Sequence, residues 1–94
     1  MKFEDLNFKS TNHVGVPGVQ AWVTVGNYKV SVVKSSMSYG GDRGLYEVGF
    51  FNPKTNNMVE VPGISEPGDT VVGFLTETQV EEVLESLKLM QLPQ

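Results

Sequence analysis

The amino-acid sequence predicts an α+β fold in which an antiparallel β-sheet of about four strands, built from hairpins, packs its apolar face against one C-terminal amphipathic helix. Two observations predict this fold. Up to about residue 75 apolar residues recur with a period of two, typical of half-buried strands, and beyond it with a period close to 3.6, typical of a helix. The 94 residues suit a single domain, residues 1–94.

The clearest local signal is a β-hairpin. Residues 19–25 and 28–34 form two alternating, valine-rich runs, and the Gly26-Asn27 pair between them is typical of a two-residue turn. This turn places Val25 opposite Tyr28, and that pair sets the register of the whole hairpin. The predicted apolar face carries Val19, Ala21, Val23, Val25, Tyr28, Val30 and Val32. The opposite face carries Gln20, Trp22, Thr24, Lys29, Ser31 and Val33.

Two further strands are predicted after the hairpin. Leu45–Phe51 alternates in polarity, and turn-forming residues at positions 52–57 end it. Met58–Val61 is predicted to return beside it as the fourth strand. Proline-glycine pairs then indicate an irregular connection, which Thr70–Leu75 follows as a short extended piece. The residues of Leu45–Phe51 predicted to share one side are Tyr46, Val48 and Phe50.

The C-terminal helix has a recognisable start. Thr76 and Gln79 have the spacing of a capping box, in which the threonine oxygen accepts from the N3 backbone N–H and the glutamine side chain reaches back to the cap. Pro93 is predicted to end the helical pattern. The predicted buried stripe consists of Val80, Val83, Leu84, Leu87 and Met90.

Composition narrows the classes of function. The formal net charge is −4, and only seven residues are Lys or Arg. The negative electrostatic potential of such a protein repels the phosphate backbone of DNA or RNA, so generic nucleic-acid binding is not expected. No apolar run is long enough to cross a bilayer. The acidic N-terminal residues do not resemble a secretory signal. We therefore expect a cytoplasmic protein that does not bind membranes.

The sequence offers little for catalysis or metal binding. The single histidine, His13, lies in a polar segment without a nucleophile motif such as G-x-S-x-G. There is no cysteine, so thiolate metal sites are excluded, and no calcium-binding loop motif is present. We expect no enzyme activity, no cofactor and no metal site.

The segment 35–44 is the strongest candidate for a ligand site. Glycine-rich backbone can direct N–H groups at an anion, an arginine can pair with phosphate, and a tyrosine can stack on a base. However, no phosphate-binding motif is present and the segment precedes a strand instead of a helix. We therefore interpret segment 35–44 as a mobile or bulged hairpin connection, and a ligand site is the alternative interpretation. The candidate ligand-binding residues are Tyr39, Gly40, Gly41, Arg43 and Gly44.

Trp22 is the candidate anchor for a protein partner. It is predicted on the sheet face opposite the helix, beside Lys29, and an exposed tryptophan with cationic neighbours is typical of an interface hot spot. The alternative is that the N-terminal segment covers it through Phe3, Leu6 or Phe8. These three residues are also predicted either to plug an end of the core or to add an edge strand.

Glu77, Glu81 and Glu85 recur every four residues along the predicted helix. A solvated outer face explains such a row, because charged stripes keep helices soluble. The alternative interpretation is a docking strip for a basic protein.

Several short patterns resemble small uncharacterised proteins of tailed bacteriophages. They are Phe3-Glu-Asp-Leu6, the strand at Val30–Val33, the run from Tyr39 to Val48, and Val72-Gly-Phe-Leu-Thr-Glu77. The resemblance implies an accessory protein in the cytoplasm of an infected bacterial host. It carries over no site residue and no mechanism.

The sequence is compatible with two hypotheses for the function, and enzyme activity is a distant third. The first is non-catalytic, stoichiometric binding to a host macromolecule, for instance as an inhibitor of a defence or host process. The second is a small-molecule binder that sequesters a nucleotide or other anionic signal through segment 35–44. Under both we expect a homo-oligomer, since a small chain with one uncovered sheet face can bury it against a second copy.

Overall fold

The structure, a computed structural model, describes residues 1–12 and 15–92. These residues form one antiparallel five-stranded sheet, in which the strands follow one another in chain order, and one C-terminal helix. The predicted α+β fold is confirmed, with five strands where about four were expected. The elements are β1 (Lys9–Ser10), β2 (Gly18–Val25), β3 (Tyr28–Ser35), β4 (Tyr46–Phe51), β5 (Val71–Leu75) and α1 (Glu77–Met90), with 3₁₀ turns at Phe3–Asp5 and Gly41–Arg43.

The predicted hairpin register is confirmed. Val25 pairs with Tyr28 across the Gly26-Asn27 turn, Val23 with Val30, and Ala21 with Val32. Gly26 has a φ of 60°, the left-handed value that a primed turn requires. One side of the hairpin is therefore apolar and directed into the core, and the other carries the polar residues and Trp22.

The predicted fourth strand at Met58–Val61 is wrong. Met58 makes only an isolated bridge to Phe51, and the chain then turns inward at Val61, which is fully buried. Ser65 holds this turn, because its hydroxyl accepts from the Val61 N–H at 2.9 Å. The edge of β4 is paired instead by β5, where Val72 lies opposite Val48.

A β-bulge makes β5 irregular. Tyr46 pairs with Leu75, and Val48 pairs with Val72. Two residues of β5, Gly73 and Phe74, therefore lie opposite a single residue of β4, Glu47. The bulge allows Val72 and Leu75, three positions apart, both to face the core. A regular strand with a period of two would have turned one of them outward.

The helix packs on the inner face of the sheet as predicted. The capping box is present, with Gln79 N–H donating to Thr76 Oγ1 and Thr76 N–H donating to Gln79 Oε1. Met90 is exposed, so its predicted burial is wrong, and Pro93 lies outside the described residues. The largest fully buried side chains of sheet and helix are Phe50, Val30, Val32, Val48, Val80, Leu84 and Leu87. The described residues form no helix that could cross a membrane.

Phe3, Leu6 and Phe8 close one end of the core, which is one of the two roles predicted for them; the edge strand is formed by the two residues after them. Phe3 and Phe8 lie against Tyr46 at ring-centroid distances of 5.1 and 5.7 Å, and Leu6 is buried in the core. The chain then forms β1, a two-residue edge strand on β2. The segment thus closes one end of the core before it joins the sheet.

Gln91, just beyond the helix, ties the helix to the hairpin turn. Its Nε2 donates to the carbonyls of Val25 (3.0 Å) and Leu87 (2.9 Å), and its Oε1 accepts from the Asn27 N–H at 2.7 Å. No local pattern predicts this role of Gln91, because its contacts with Val25 and Asn27 join residues more than 60 positions apart.

If docking of α1 holds the fold together, Leu87→Ala should lower the free energy of unfolding by about 2–5 kcal/mol, since Leu87 is fully buried. Leu89→Ala, on the exposed side of the same helix, is the matched control and should change it by less than about 0.5 kcal/mol. Urea denaturation followed by circular dichroism measures both. Equal effects of the two substitutions would contradict the packing described above.

Candidate protein-binding face

Trp22 lies on the sheet face opposite the helix, as predicted, and 48% of its surface is exposed. The Lys29 ammonium is 4.6 Å from the centre of its ring, within the range of a cation–π contact. The ring of Phe51 lies 5.3 Å away on the other side of the hairpin. Gln20 donates to the hydroxyl of Ser31 at 2.8 Å. Trp22 is therefore held in place by its neighbours while much of its ring remains accessible.

The N-terminal segment does not cover Trp22, so that alternative is wrong. Phe3 and Phe8 pack against each other and against Tyr46, whose side chain faces the core. Leu6 is buried in the same core cluster. All three aromatic or aliphatic side chains of the segment are used on the helix side of the sheet.

The apolar surface beside Trp22 continues across the sheet because Gly49 has no side chain. A Cβ built on Gly49 would lie 3.5 Å from Met58 Cε, 3.6 Å from Phe51 Cε1 and 3.6 Å from Val71 Cγ1. These three side chains converge over the backbone of β4. Met58, 46% exposed, is brought there by the turn at residues 52–57.

The same surface extends to a second pair of exposed aromatic rings. Tyr39 and Phe74 stack with centroids 6.4 Å apart, and they are 61% and 53% exposed. Together with Val71 they line a shallow depression of about 230 Å³. We call this continuous surface the outer strip; its members are Trp22, Phe51, Met58, Val71, Tyr39 and Phe74.

Phe74 reaches this surface through a strained backbone. Its φ is 58°, in the left-handed region that a bulky residue rarely occupies, and such a conformation raises the free energy by about 1–3 kcal/mol. The bulge fixes it there, and the Phe74 N–H donates to the Tyr39 carbonyl at 3.3 Å. The side chain thereby points away from the core to lie beside Tyr39.

The predicted ligand segment is a folded turn. Gly40 and Gly44 have φ of 85° and 75° and flank the 3₁₀ turn Gly41–Arg43. A Cβ on Gly41 would lie only 1.8 Å from the Ser35 carbonyl oxygen, so only glycine fits. The segment is thus a bulged connection with defined hydrogen bonds.

Those hydrogen bonds use two of the three glycine amides on which an anion site would depend, those of Gly41 and Gly44. Gly41 donates to Ser38 (3.1 Å), Arg43 to Gly40 (2.9 Å) and Gly44 to Gly41 (3.1 Å). The Tyr39 N–H donates to the Glu47 carboxylate at 3.0 Å, which places negative charge beside the turn. Arg43 is exposed and is the one cationic side chain of segment 35–44. The geometry favours a contact surface over a phosphate cradle.

The acidic row of the helix is partly engaged within the chain. Glu81 accepts a hydrogen bond from the Phe3 N–H at 2.5 Å, and Glu85 lies 3.5 Å from the amino group of Met1. Glu77 is exposed in the first helical turn, where its negative charge interacts favourably with the positive end of the helix dipole. The row therefore helps to attach the N-terminal segment, and its role in docking a partner stays a prediction.

Within the part of the chain that the structure describes, no three His, Cys, Asp or Glu side chains are grouped to hold a metal. His13 lies outside the described residues. Comparisons with models of protein families, with curated proteins and with solved structures found no match for this chain.

The sequence identified Trp22, Lys29 and Tyr39 but missed that Phe51, Met58, Val71 and Phe74 join them. One signal was available. Val72 and Leu75 are both apolar at a spacing of three inside a predicted strand, and that spacing requires a bulge if both are buried. The position of Met58 had no local signal, because it depends on how the turn at 52–57 folds back over Gly49.

Replacement of Phe74 tests the strain. Phe74→Asn should leave the free energy of unfolding within about 1 kcal/mol of wild type. Asparagine tolerates the left-handed region, so the relief of backbone strain offsets the loss of the ring contact with Tyr39. Phe74→Val should be less stable than Phe74→Asn by at least about 1 kcal/mol, because a β-branched residue suits this conformation poorly. Thermal and urea unfolding compare the pair. A valine variant as stable as the asparagine variant would show that the bulge is relaxed.

Proposed function

We propose that this chain is a non-catalytic binding protein that associates stoichiometrically with a host protein through its outer strip. The observation that carries the proposal is the continuous exposed surface from Trp22 to Phe74. Aromatic residues and methionine are enriched in the centres of protein interfaces, and a tryptophan held by neighbours loses little freedom when it binds. The acidic net charge of −4 favours a protein over a nucleic acid as the partner.

The exposed area of the aromatic rings bounds the hydrophobic contribution to the association. Trp22, Tyr39 and Phe74 are each about half exposed. Covering these three rings would remove roughly 200–400 Å² from water, which favours binding by about 5–10 kcal/mol. Association itself opposes binding by about 4–15 kcal/mol. Because these two ranges overlap, burial of the three rings does not by itself ensure binding, and further contacts around them are needed.

The setting of the proposal is an infected bacterial cell. The similarity of the short patterns to small bacteriophage proteins suggests an accessory protein, and occlusion of a host protein surface inhibits a defence or host process without catalysis. The outer strip has a composition suited to that role.

Trp22→Ala tests this proposal. As bait in a bacterial lysate, the wild-type chain and Leu89→Ala, a control on the exposed side of the helix, should retain the same host protein, and Trp22→Ala should lose it. With that protein purified, calorimetry should give a simple stoichiometry and a loss of at least about 30-fold in affinity for Trp22→Ala, as at an interface hot spot of about 2 kcal/mol.

Two results would contradict the proposal. One is equal retention of every host protein by all three baits. The other is a concentration-dependent dimer in sedimentation velocity that Trp22→Ala abolishes. The homo-oligomer expected from the sequence would then be formed through the outer strip itself, and the strip would not be free to bind a host protein.

A further inference from the structure

The edge strand β1 covers only the first part of β2. Lys9 pairs with Gln20 and Ser10 with Val19, and the Thr11 N–H donates to the Gly18 carbonyl at 3.0 Å. Before Lys9 the chain leaves the sheet, because Phe8 turns inward to pack against Tyr46. The edge of β2 beyond Gln20 is left without a neighbouring strand.

The hydrogen-bonding groups of this edge belong to Trp22 and Thr24. The hairpin turn makes Val25 and Tyr28 a hydrogen-bonded pair, so the odd-numbered residues of β2 bond to β3 and the even-numbered ones direct their N–H and C=O outward. Gly18, whose outward carbonyl accepts from Thr11, follows this alternation. Among the described residues, the outward groups of Trp22 and Thr24 have no hydrogen-bond partner.

This open stretch has defined ends. Lys9 occupies one end, and at the other Gln91 already bonds to Val25 and Asn27 at the turn. Between them lie two outward N–H and two outward C=O groups. An extended segment of a few residues matches this length, since each strand residue advances about 3.3 Å.

Shallow depressions lie on both sides of the open edge. One, of about 270 Å³, is on the outer face and is lined in part by Lys9, Gln20 and Trp22. The other, of about 280 Å³, is on the helix side and is lined in part by Thr24, Val25 and Leu84. Because side chains of an added strand alternate between the two faces, one set would enter each depression.

The charges differ between the two sides. Lys9 lies beside Trp22 on the outer face. Lys29 lies over the Trp22 ring and also donates to Asn56 Oδ1 at 3.3 Å. Glu47, the acidic residue of β4 on that face, is engaged with the Tyr39 amide. On the helix side, Val25 and Leu84 provide an apolar floor, and the charged groups that line the same depression are Lys88 and the ion pair of Glu85 with the Met1 amino group. Carboxylates therefore suit the outward positions of an added strand and apolar side chains the inward ones.

We propose that the open edge of β2 at Trp22–Thr24 binds an extended acidic segment of a partner protein as an additional strand, with its carboxylates beside Lys9 and Lys29. This inference rests on the proposed function, because Trp22 belongs to both surfaces. It adds the backbone contacts that the outer strip lacks, and it names the partner's chemistry: alternating acidic and apolar residues in an exposed, strand-forming segment.

The probe is the capped peptide Ser-Asp-Val-Asp-Val-Asp-Ser, titrated into the ¹⁵N-labelled chain. We expect a Kd below about 1 mM, with the amide signals of Trp22 and Thr24 shifting most and exchanging with solvent more slowly in the complex. The matched peptide with lysine in place of each aspartate should bind at least tenfold more weakly. Absence of binding at 1 mM, or equal binding of both peptides, overturns the inference.

Thr24→Pro separates edge pairing from docking on the face. Proline removes an outward N–H, and it is tolerated at an edge position that does not bond to the next strand. Thr24→Val keeps the amide and is the control. We expect Thr24→Pro to lose at least tenfold in affinity for the aspartate peptide while Thr24→Val retains it. If Thr24→Pro does not fold, slowed exchange of the Trp22 and Thr24 amides in the wild-type complex decides the question.

The same variants distinguish the two proposals in the lysate experiment. Loss of the host protein from both Trp22→Ala and Thr24→Pro supports both. Loss from Trp22→Ala alone overturns edge pairing and leaves the outer strip as the binding surface. Retention by both variants overturns the proposed function itself, whatever the peptide does.

Discussion

The structure depends on the burial of one helical stripe against one face of the sheet. Val80, Leu84 and Leu87 are fully or almost fully buried, and so are the inward side chains of β3 and β4 that they cover. Each such side chain contributes about 1.5–3 kcal/mol, which exceeds the roughly 1 kcal/mol expected from the helix cap. The N-terminal segment and Gln91 then attach to the surface that this packing creates. Without the helix, the sheet would have no covered face.

A single helical layer has a direct consequence for the other face. Within residues 1–12 and 15–92 no second layer of structure covers the outer face, and residues such as Trp22 and Thr24 are exposed there. Polar side chains such as Gln20 and Ser31 occupy part of this face and bond to one another. The remainder is apolar and aromatic, and nothing in the packing of the core requires Trp22 or Phe74 to be there. That is why we propose recognition, and not stability, as the role of the outer strip.

Three irregularities shape this surface and the strand edge beside it. Gly49 lets Phe51, Met58 and Val71 approach one another over the sheet, and the bulge in β5 turns Phe74 outward at the expense of backbone strain. The early departure of the chain at Phe8 is a third, because it leaves β2 partly unpaired beside Trp22. Irregularities of this kind are often found near binding sites, where they redirect side chains or end strand pairing.

The sequence by itself determined the hairpin register, the helix with its cap and the side of the sheet on which Trp22 lies. Each of these follows from interactions over a few residues: a two-residue turn, a capping box, and periods of two or 3.6. Only the tertiary structure decided that β5 and not Met58–Val61 pairs with β4, that Met90 is exposed, and that Met58 and Phe74 join the outer strip. These outcomes arise from contacts between residues far apart in the chain, in which the burial of Val61, Val72 and Leu75 outweighs the local alternation.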